Sequence, residues 1–381
     1  MVGNNDNWMS RVPFSMDLLK KRYTSLNPLD LRHQQTEQRV EHGVYVNLTG
    51  TGELTLICLY VDDLVIIGSN EAEILKLKGE LKSEFEMTNL GELAYFLGIE
   101  FLKTPRGIIM HQRKYITDVL ERFQMMNCKP ASVLVEGNQK PSEVEPEMLA
   151  DATLYRQMVG CLRFICHSRP EITYGVGVIS KYMASPTQSH MVAAKRILRY
   201  LKGTSNYGVL FPNQNQKCES SFVGFSDSDW CGDKEDRRST SGYVFTIFGA
   251  PVSWNSRKQD VVALSTCEAE YIAACNAICQ GLWLIHLMTE LRYGEFEDFE
   301  LRVDNQSTIN LAKNLVRHGR SKHIETRFHF LRDQVGKGRV KMVHCSIDLK
   351  KADVITKALK VDKFNRFRDM LNVHSFGDKF V

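Results

Sequence analysis

Leu54 to Gly68 reads LTLICLYVDDLVIIG, two apolar, β-branched runs joined by a turn that carries adjacent carboxylates, Asp62 and Asp63. Runs of this length and composition on either side of a short polar turn fold as a β-hairpin, and their apolar arms oblige it to join a sheet with a covered face. The aspartates do not serve that packing. Burying or half-burying two like charges side by side is costly unless a cation joins them, so the pair reads as a divalent metal site.

With 381 residues, 43% of them apolar, the chain can bury two or three modest cores. Residues 1–40 mix Asn, Arg and Gln with weak periodicity and are expected as a poorly ordered or partly helical leader. Strand patterning begins near Gly43 and runs into the hairpin. Glu71 to Met87 follows as an amphipathic helix with Ile74, Leu77, Leu81 and Phe85 on one stripe. A second hairpin turns at Thr104-Pro105-Arg106-Gly107, Gln112 to Met126 reads as helix, and the Pro- and Glu-rich stretch over 129–150 marks a linker. Tyr155 to Lys202 holds two or three helices. The last, announced by Ser185-Pro186-Thr187, puts Lys195, Arg199 and Lys202 at i, i+4 and i+7, a basic stripe suited either to solvent or to phosphates. Beyond FPNQNQK, alternating strands and helices indicate an α/β sheet domain.

The formal charge of +4 permits a polyanionic partner without demanding one. Ten cysteines lie scattered in apolar contexts without a CxxC pair, as reduced thiols packed like small hydrophobes. A cytoplasmic or nuclear setting fits, and the sequons at Asn47 and Asn305 are then chance matches. No targeting signal is visible at the N-terminus and no apolar stretch approaches membrane-spanning length, so no membrane partner is expected.

The second half carries four acidic residues on four separate elements. Val223, Phe225 and Asp227 share one parity on a strand that Asp227 closes. Ser265-Thr266-Cys267-Glu268 matches a capping box, which assigns Glu268 to the helix start and leaves Glu270 for other work. Phe299, Leu301 and Val303 alternate toward a core, so their strand ends in Asp304; Asp353 lies early in the last helix. Taken singly, each carboxylate also reads as a cap, a turn former or a surface charge. Together they suit two-metal hydrolysis, and hard oxygen ligands without clustered Cys or His favour Mg²⁺ or Mn²⁺, two ions, over zinc.

The surrounding words are specific: SDSDW from Ser226, DRRSTSGYVF from Asp236, VSWNSRKQDVVALSTCEAEYIAA from Val252, VDNQSTI from Val303, GRSKHIETRFHFLRD from Gly319 and ADVITKAL from Ala352. Each is similar, in the same order, to the RNase H domain of copia-type retrotransposon polyproteins, and the YVDD hairpin resembles the end of their reverse transcriptase domain. The resemblance runs from Glu41 to about Lys363. It implies an α/β (α+β) chain: a truncated reverse transcriptase palm over 41–128, the linker, a helical thumb or connection over 151–212, an RNase H-like mixed five-stranded sheet with flanking helices over 219–365, and a tail over 366–381. Asp227, Glu270, Asp304 and Asp353 then take the four metal-binding catalytic positions. The implied reaction is endonucleolytic hydrolysis of the RNA strand of an RNA–DNA hybrid, and the implied partner is that hybrid or another nucleic acid. Lys195, Arg199 and Lys202, with the Arg320, Lys322 and His323 cluster, are the expected phosphate contacts. His344 reads first as a structural histidine, and Trp230 and Trp254 first as packing residues with base stacking as the alternative.

Polymerase chemistry in this family needs a third carboxylate on a DVxxAFL-type strand upstream of YVDD, and no such segment is visible. Asp17, followed by a basic, helix-like run, is not promoted. Asp62 and Asp63 are therefore expected to be a vestigial polymerase site without polymerase activity in this chain. Two departures lie near the last metal position: TKAL in place of TKPL, and SIDLKKAD, more basic than the usual Gln-containing version. The alternatives are a catalytically dead element remnant that at most binds nucleic acid, and the same fold turned to DNA strand transfer.

Overall fold

The computed structural model describes residues 15–21, 37–41, 43–48, 54–135, 148–213, 222–294, 296–313 and 322–377, with backbone alone for 15–21, 37–41, 48 and 322–328. The chain forms two units, one of Met1–Leu97, Asn213–Lys217 and Trp283–Phe296, the other of Gly98–Pro212, Cys218–Leu282 and Glu297–Val381.

The first unit contains β1 (Ser15–Lys21), β2 (Glu37–Glu41), β3 (Val44–Leu48), β4 (Leu54–Tyr60), β5 (Asp63–Gly68), α1 (Glu71–Glu84), β6 (Met87–Glu92) and the short β7 (Tyr95–Phe96). An antiparallel sheet runs in the order β2-β3-β4-β5-β1-β6. The expected hairpin is β4–β5, with Tyr60 opposite Asp63. Its core is Tyr45, Ile57, Leu64 and Ile66, covered by Ile74 and Leu81 from α1, with Leu77 and Phe85 half-buried beside them, which is the predicted stripe. Asn70 starts α1 by accepting from the amides of Ala72 and Glu73 at 2.9 and 3.4 Å. The leader expectation is corrected at β1 and β2. β1 fills the slot between β5 and β6, and hydrogen bonding on both sides stabilises a strand whose own periodicity is weak.

The second unit begins with the hairpin β8 (Ile99–Thr104) and β9 (Gly107–His111), whose turn is closed by the Thr104 hydroxyl donating to the Gly107 carbonyl at 2.7 Å. Helices α2 (Arg113–Arg122), α3 (Ala152–Ile165), α4 (Thr173–Ser180) and α5 (Gln188–Gly203) pack around Ile116, Leu120, Tyr155, Leu162, Ile197 and Leu201. Thr187 caps α5, as its Ser-Pro-Thr signal predicts. Most of the linker, 136–147, lies outside the described residues. β10 (Tyr207–Pro212) follows and pairs with β9.

Strands β11 (Phe222–Asp229), β12 (Thr240–Ile247), β13 (Ala250–Lys258), β14 (Phe299–Val303) and β15 (Val340–His344) form the expected five-stranded mixed sheet, in the order β13-β12-β11-β14-β15. The first three are antiparallel; β14 and β15 run parallel to β11. Between β13 and β14 runs α6 (Thr266–Glu290), and between β14 and β15 run α7 (Gln306–Lys313) and α8 (Lys322–Gly336). At 25 residues α6 is long and apolar enough to cross a membrane by length and composition, which corrects the expectation that no stretch approaches that length. Half of its apolar window is buried inside the protein, as in a core helix.

Two further expectations change. The last helix splits into a 3₁₀ turn, Lys351–Ile355, and α9 (Val361–Met370), and Thr356, at the break, gives its hydroxyl to Asp227. The tail then supplies the end of α9 and β16 (Val373–Ser375), which pairs with β10.

Asp233 ties α4 to β13. Its Oδ2 accepts from Lys181 at 2.8 Å and from Lys258 at 2.5 Å. Partial burial works against ionisation, yet the two ammoniums outweigh it and hold the carboxyl well below its usual range. A depressed carboxyl stabilises the fold fully above its unfolded pKa of 3.8 and loses that contribution as pH falls toward the folded value. Asp233→Asn is therefore expected to cost about 1 kcal/mol at neutral pH, allowing for the partly exposed lysines. The cost shrinks as pH falls below 3.8 toward the much lower folded value, which urea midpoints compared at pH 7 and pH 2 would check.

Candidate metal centre

β11 is the central strand, and its buried residues fall on both faces. Parallel pairing sets Val223 beside Glu300 and Phe225 beside Arg302, so the same register carried two residues on brings Asp227 level with Asp304 just past the end of β14. The start of α6 delivers Glu270. The Ser265 hydroxyl accepts from the Glu268 amide at 3.1 Å, and Glu268 Oε2 accepts from the Leu264 amide at 2.8 Å, so Glu268 is the capping residue and Glu270 is left to face the strand ends. One carboxylate oxygen each from Asp227, Glu270 and Asp304 lies within 4.8 Å of the others. Asp227 and Glu270 are buried, while Asp304 is one-quarter exposed.

A lysine stands among them. Lys350, fully buried, places its Nζ against Asp227 Oδ1, 2.6 Å from Asp304 Oδ1 and 3.1 Å from Glu270 Oε1. Asp227 Oδ2 accepts from the Thr356 hydroxyl and lies 3.3 Å from Lys357 Nζ. Asp353 does not join the trio. Its two oxygens meet Lys357 at 3.0 Å and Lys363 at 2.8 Å. The Ser228 amide donates to Glu270 Oε1 at 3.2 Å, and Glu270 Oε2 is buried without a hydrogen-bond partner.

The electrostatics follow. Burial opposes the charge on Asp227, but Lys350 and Lys357 overcome it and hold the carboxyl down at about 2. For Glu270 burial leads, the Asp227 charge adds to it, and the carboxyl is pushed up to about 8. Burial disfavours the Lys350 ammonium as well, yet its three carboxylates raise its pKa above the ordinary lysine value. The donor set fits a hard divalent cation: three convergent carboxylates, with Glu270 Oε2 buried without a hydrogen-bond partner and without an ammonium against it. It fits with a competitor present, since the lysine ammonium already uses the same oxygens.

Residues 20–136 match the family described as reverse transcriptase (RNA-dependent DNA polymerase). The Pol polyprotein of transposon TNT 1-94 from Nicotiana tabacum is 36% identical over 342 residues, 87% of this chain and 25% of that protein. The Pol polyprotein of transposon RE1 from Arabidopsis thaliana is 37% identical over 320 residues, 84% of this chain and 22% of that protein. This chain belongs to the copia-type retrotransposon Pol polyproteins. It spans about a quarter of the length of those relatives. Among solved structures, RNase H1 from Halobacterium salinarum aligns at 16% identity over 35% of this chain and 93% of its own, with a TM-score of 0.27. The reverse transcriptase match begins at residue 20, so family sequence reaches into the segment read as a leader.

Within this Pol fragment the other expected site residues fall out differently. Asp62 is exposed on the β4–β5 turn and Asp63 half-exposed beside it, so solvent relieves the like-charge cost that argued for a cation there. Asp17 lies on strand β1, not in a helix-like run, and its register partner is Ile66, while Asp63 faces Lys20. On the basic stripe, the Arg199 guanidinium donates to the Lys129 carbonyl at 2.7 Å and Lys202 to the Cys128 carbonyl at 2.6 Å. Those two side chains therefore hold the 128–129 backbone, and Lys195 alone of the three is exposed. Arg320 lies outside the described residues, and Lys322 and His323 open α8 in backbone alone. His344 ends β15 and is exposed. Trp254 donates to the Cys166 carbonyl at 3.0 Å and packs on the helical core; half-exposed Trp230 donates to the Ala263 carbonyl at 3.1 Å. Sequence reasoning misses Lys350, Lys357 and Lys363 as site residues; the basic wording of SIDLKKAD signals Lys350 and no pattern signals the other two.

Proposed function

We propose that this Pol fragment hydrolyses the RNA strand of RNA–DNA hybrids, using Asp227, Glu270, Asp304 and Asp353. One observation carries the reading: three carboxylates from the end of the central strand, the start of a helix and the end of the neighbouring parallel strand converge on a single cation position. Divalent ions, Mg²⁺ or Mn²⁺ and two in number, would supply an activated water and stabilise the leaving oxygen. The Thr356 hydroxyl and Lys357 orient Asp227. Lys357 and Lys363, each about one-third exposed at 37% and 36%, put positive charge beside the trio, where a substrate phosphate would meet it. Asp353 is the fourth ligand once a phosphate shares those lysines. In the same reading Asp62 and Asp63 support no primer extension by this chain.

The experiment is cleavage of a labelled RNA–DNA hybrid by the purified chain in Mg²⁺, beside duplex DNA and duplex RNA. Hybrid-selective cleavage abolished by chelation supports the proposal, because the 2′-hydroxyl marks the strand to be cut. Lys350 inside the trio favours the second reading, a remnant that binds nucleic acid without cleaving it, and salt-dependent hybrid binding with no cleavage would select that one. Under either reading Lys195→Ala is expected to weaken hybrid binding across sequences. The slope of log affinity against log salt should fall by about 1, measured by fluorescence anisotropy at several salt concentrations.

A further inference from the structure

We propose that Lys350 is a tethered cation that seals the carboxylate trio against divalent metal, so that metal enters only when this side chain withdraws; the inference rests on the trio being the metal centre proposed above. The geometry is direct. Lys350 Nζ touches an oxygen of each of the three carboxylates, and the residue is fully buried among them. A divalent ion bound to those oxygens would stand within a few ångströms of the ammonium, and repulsion at that range in a poorly solvated site excludes joint occupancy. The lysine is covalently attached, so it competes at a high effective concentration that dilution does not lower.

Withdrawal needs only a local change. Residues 346–349, immediately before Lys350, form an exposed turn closed by the Leu349 amide donating to the Ser346 carbonyl at 2.9 Å, with Ile347 and Leu349 63% and 49% exposed. Few buried contacts hold that turn, whereas Ala352, Val354 and Ile355 just beyond it are core residues that anchor the following segment. The turn can therefore carry Lys350 outward while Asp353 and Thr356 stay in place. A withdrawn ammonium would join Lys357 and Lys363 as charge for a substrate phosphate, which links substrate arrival to opening of the metal site.

Mn²⁺ binding by the full chain, followed by the electron paramagnetic resonance signal of free Mn²⁺, tests this without any cleavage. Lys350→Gln is expected to bind Mn²⁺ at least about tenfold more tightly than the wild type, and Lys350→Gln with Asp304→Asn to lose that gain. Without metal, Lys350→Gln should melt below the wild type, since three carboxylates lose their counter-ion, and Mn²⁺ should raise its Tm more than it raises the wild type's. Equal affinity in the wild type and Lys350→Gln would overturn the proposal. Should Lys350→Gln fail to fold, the wild type decides: tight Mn²⁺ binding lost in Asp304→Asn overturns the seal, and weak binding indifferent to Asp304→Asn supports it. The two readings fail separately. A Lys350→Gln chain that binds Mn²⁺ at the trio but cuts no hybrid keeps the seal and removes the nuclease, and a wild type that binds tightly and cuts does the reverse.

Discussion

Asp227→Asn is expected to reduce hybrid cleavage by about a thousandfold or more while leaving the fold in place. An amide oxygen is a far weaker ligand for a hard cation than a carboxylate, and Asp227 is the buried residue at the end of the central strand on which the other two converge. Losing about 4 kcal/mol of transition-state stabilisation corresponds to that factor. The fold should survive because Lys350 keeps two carboxylate partners, Glu270 at 3.1 Å and Asp304 at 2.6 Å, and because removing the Asp227 charge relieves one of the repulsions acting on Glu270. Single-turnover cleavage with the Tm measured alongside separates loss of chemistry from loss of structure. Unchanged cleavage with an intact Tm would remove the trio from the reaction.

Arg169→Met is expected to cost about 3–5 kcal/mol of stability, the largest effect of any single substitution proposed for this chain. Arg169 is wholly buried. Its Nε donates to Glu171 Oε1 at 2.7 Å, and its two terminal nitrogens donate to the carbonyl and the hydroxyl of Thr204, each at 2.8 Å. The Tyr200 hydroxyl shares Glu171 Oε1 at 3.2 Å, while Glu171 Oε2 is buried without a partner. Removing the guanidinium strands a carboxylate and the Thr204 carbonyl in the core next to α5, a penalty that methionine's volume does not offset. The double change Arg169→Met with Glu171→Leu should recover much of the loss, since an apolar pair carries no desolvation cost. Urea midpoints for the wild type, the single and the double variant check both statements.

Much of the candidate site is legible in the one-dimensional text. Asp227 and Asp304 follow from strand alternation, and Glu270 follows from subtracting Glu268 as the capping partner, which the structure shows with a one-residue shift in the amide it reaches. The same local rules place the β4–β5 hairpin, the α1 stripe and the start of α5 at Thr187. They fail at β1, where weak periodicity conceals a strand hydrogen-bonded on both sides, and at the basic stripe, where helical spacing cannot show that backbone carbonyls lie within reach of Arg199 and Lys202. The split of the last helix was equally hidden, because Thr356 is recruited by Asp227 from 129 residues away.

The ordered motifs of the sequence carried the family and, through it, the five-stranded mixed sheet, while alternation and capping singled out Asp227, Asp304 and Glu270, because those rules act between residues a few positions apart. Only the tertiary structure decided which cation those carboxylates hold, that Asp353 stands aside with Lys357 and Lys363, and that Arg169 is locked in the helical core. Charge pairing depends on distance through space. Lys350 reaches Glu270 across 80 residues of chain, and no local pattern records that meeting.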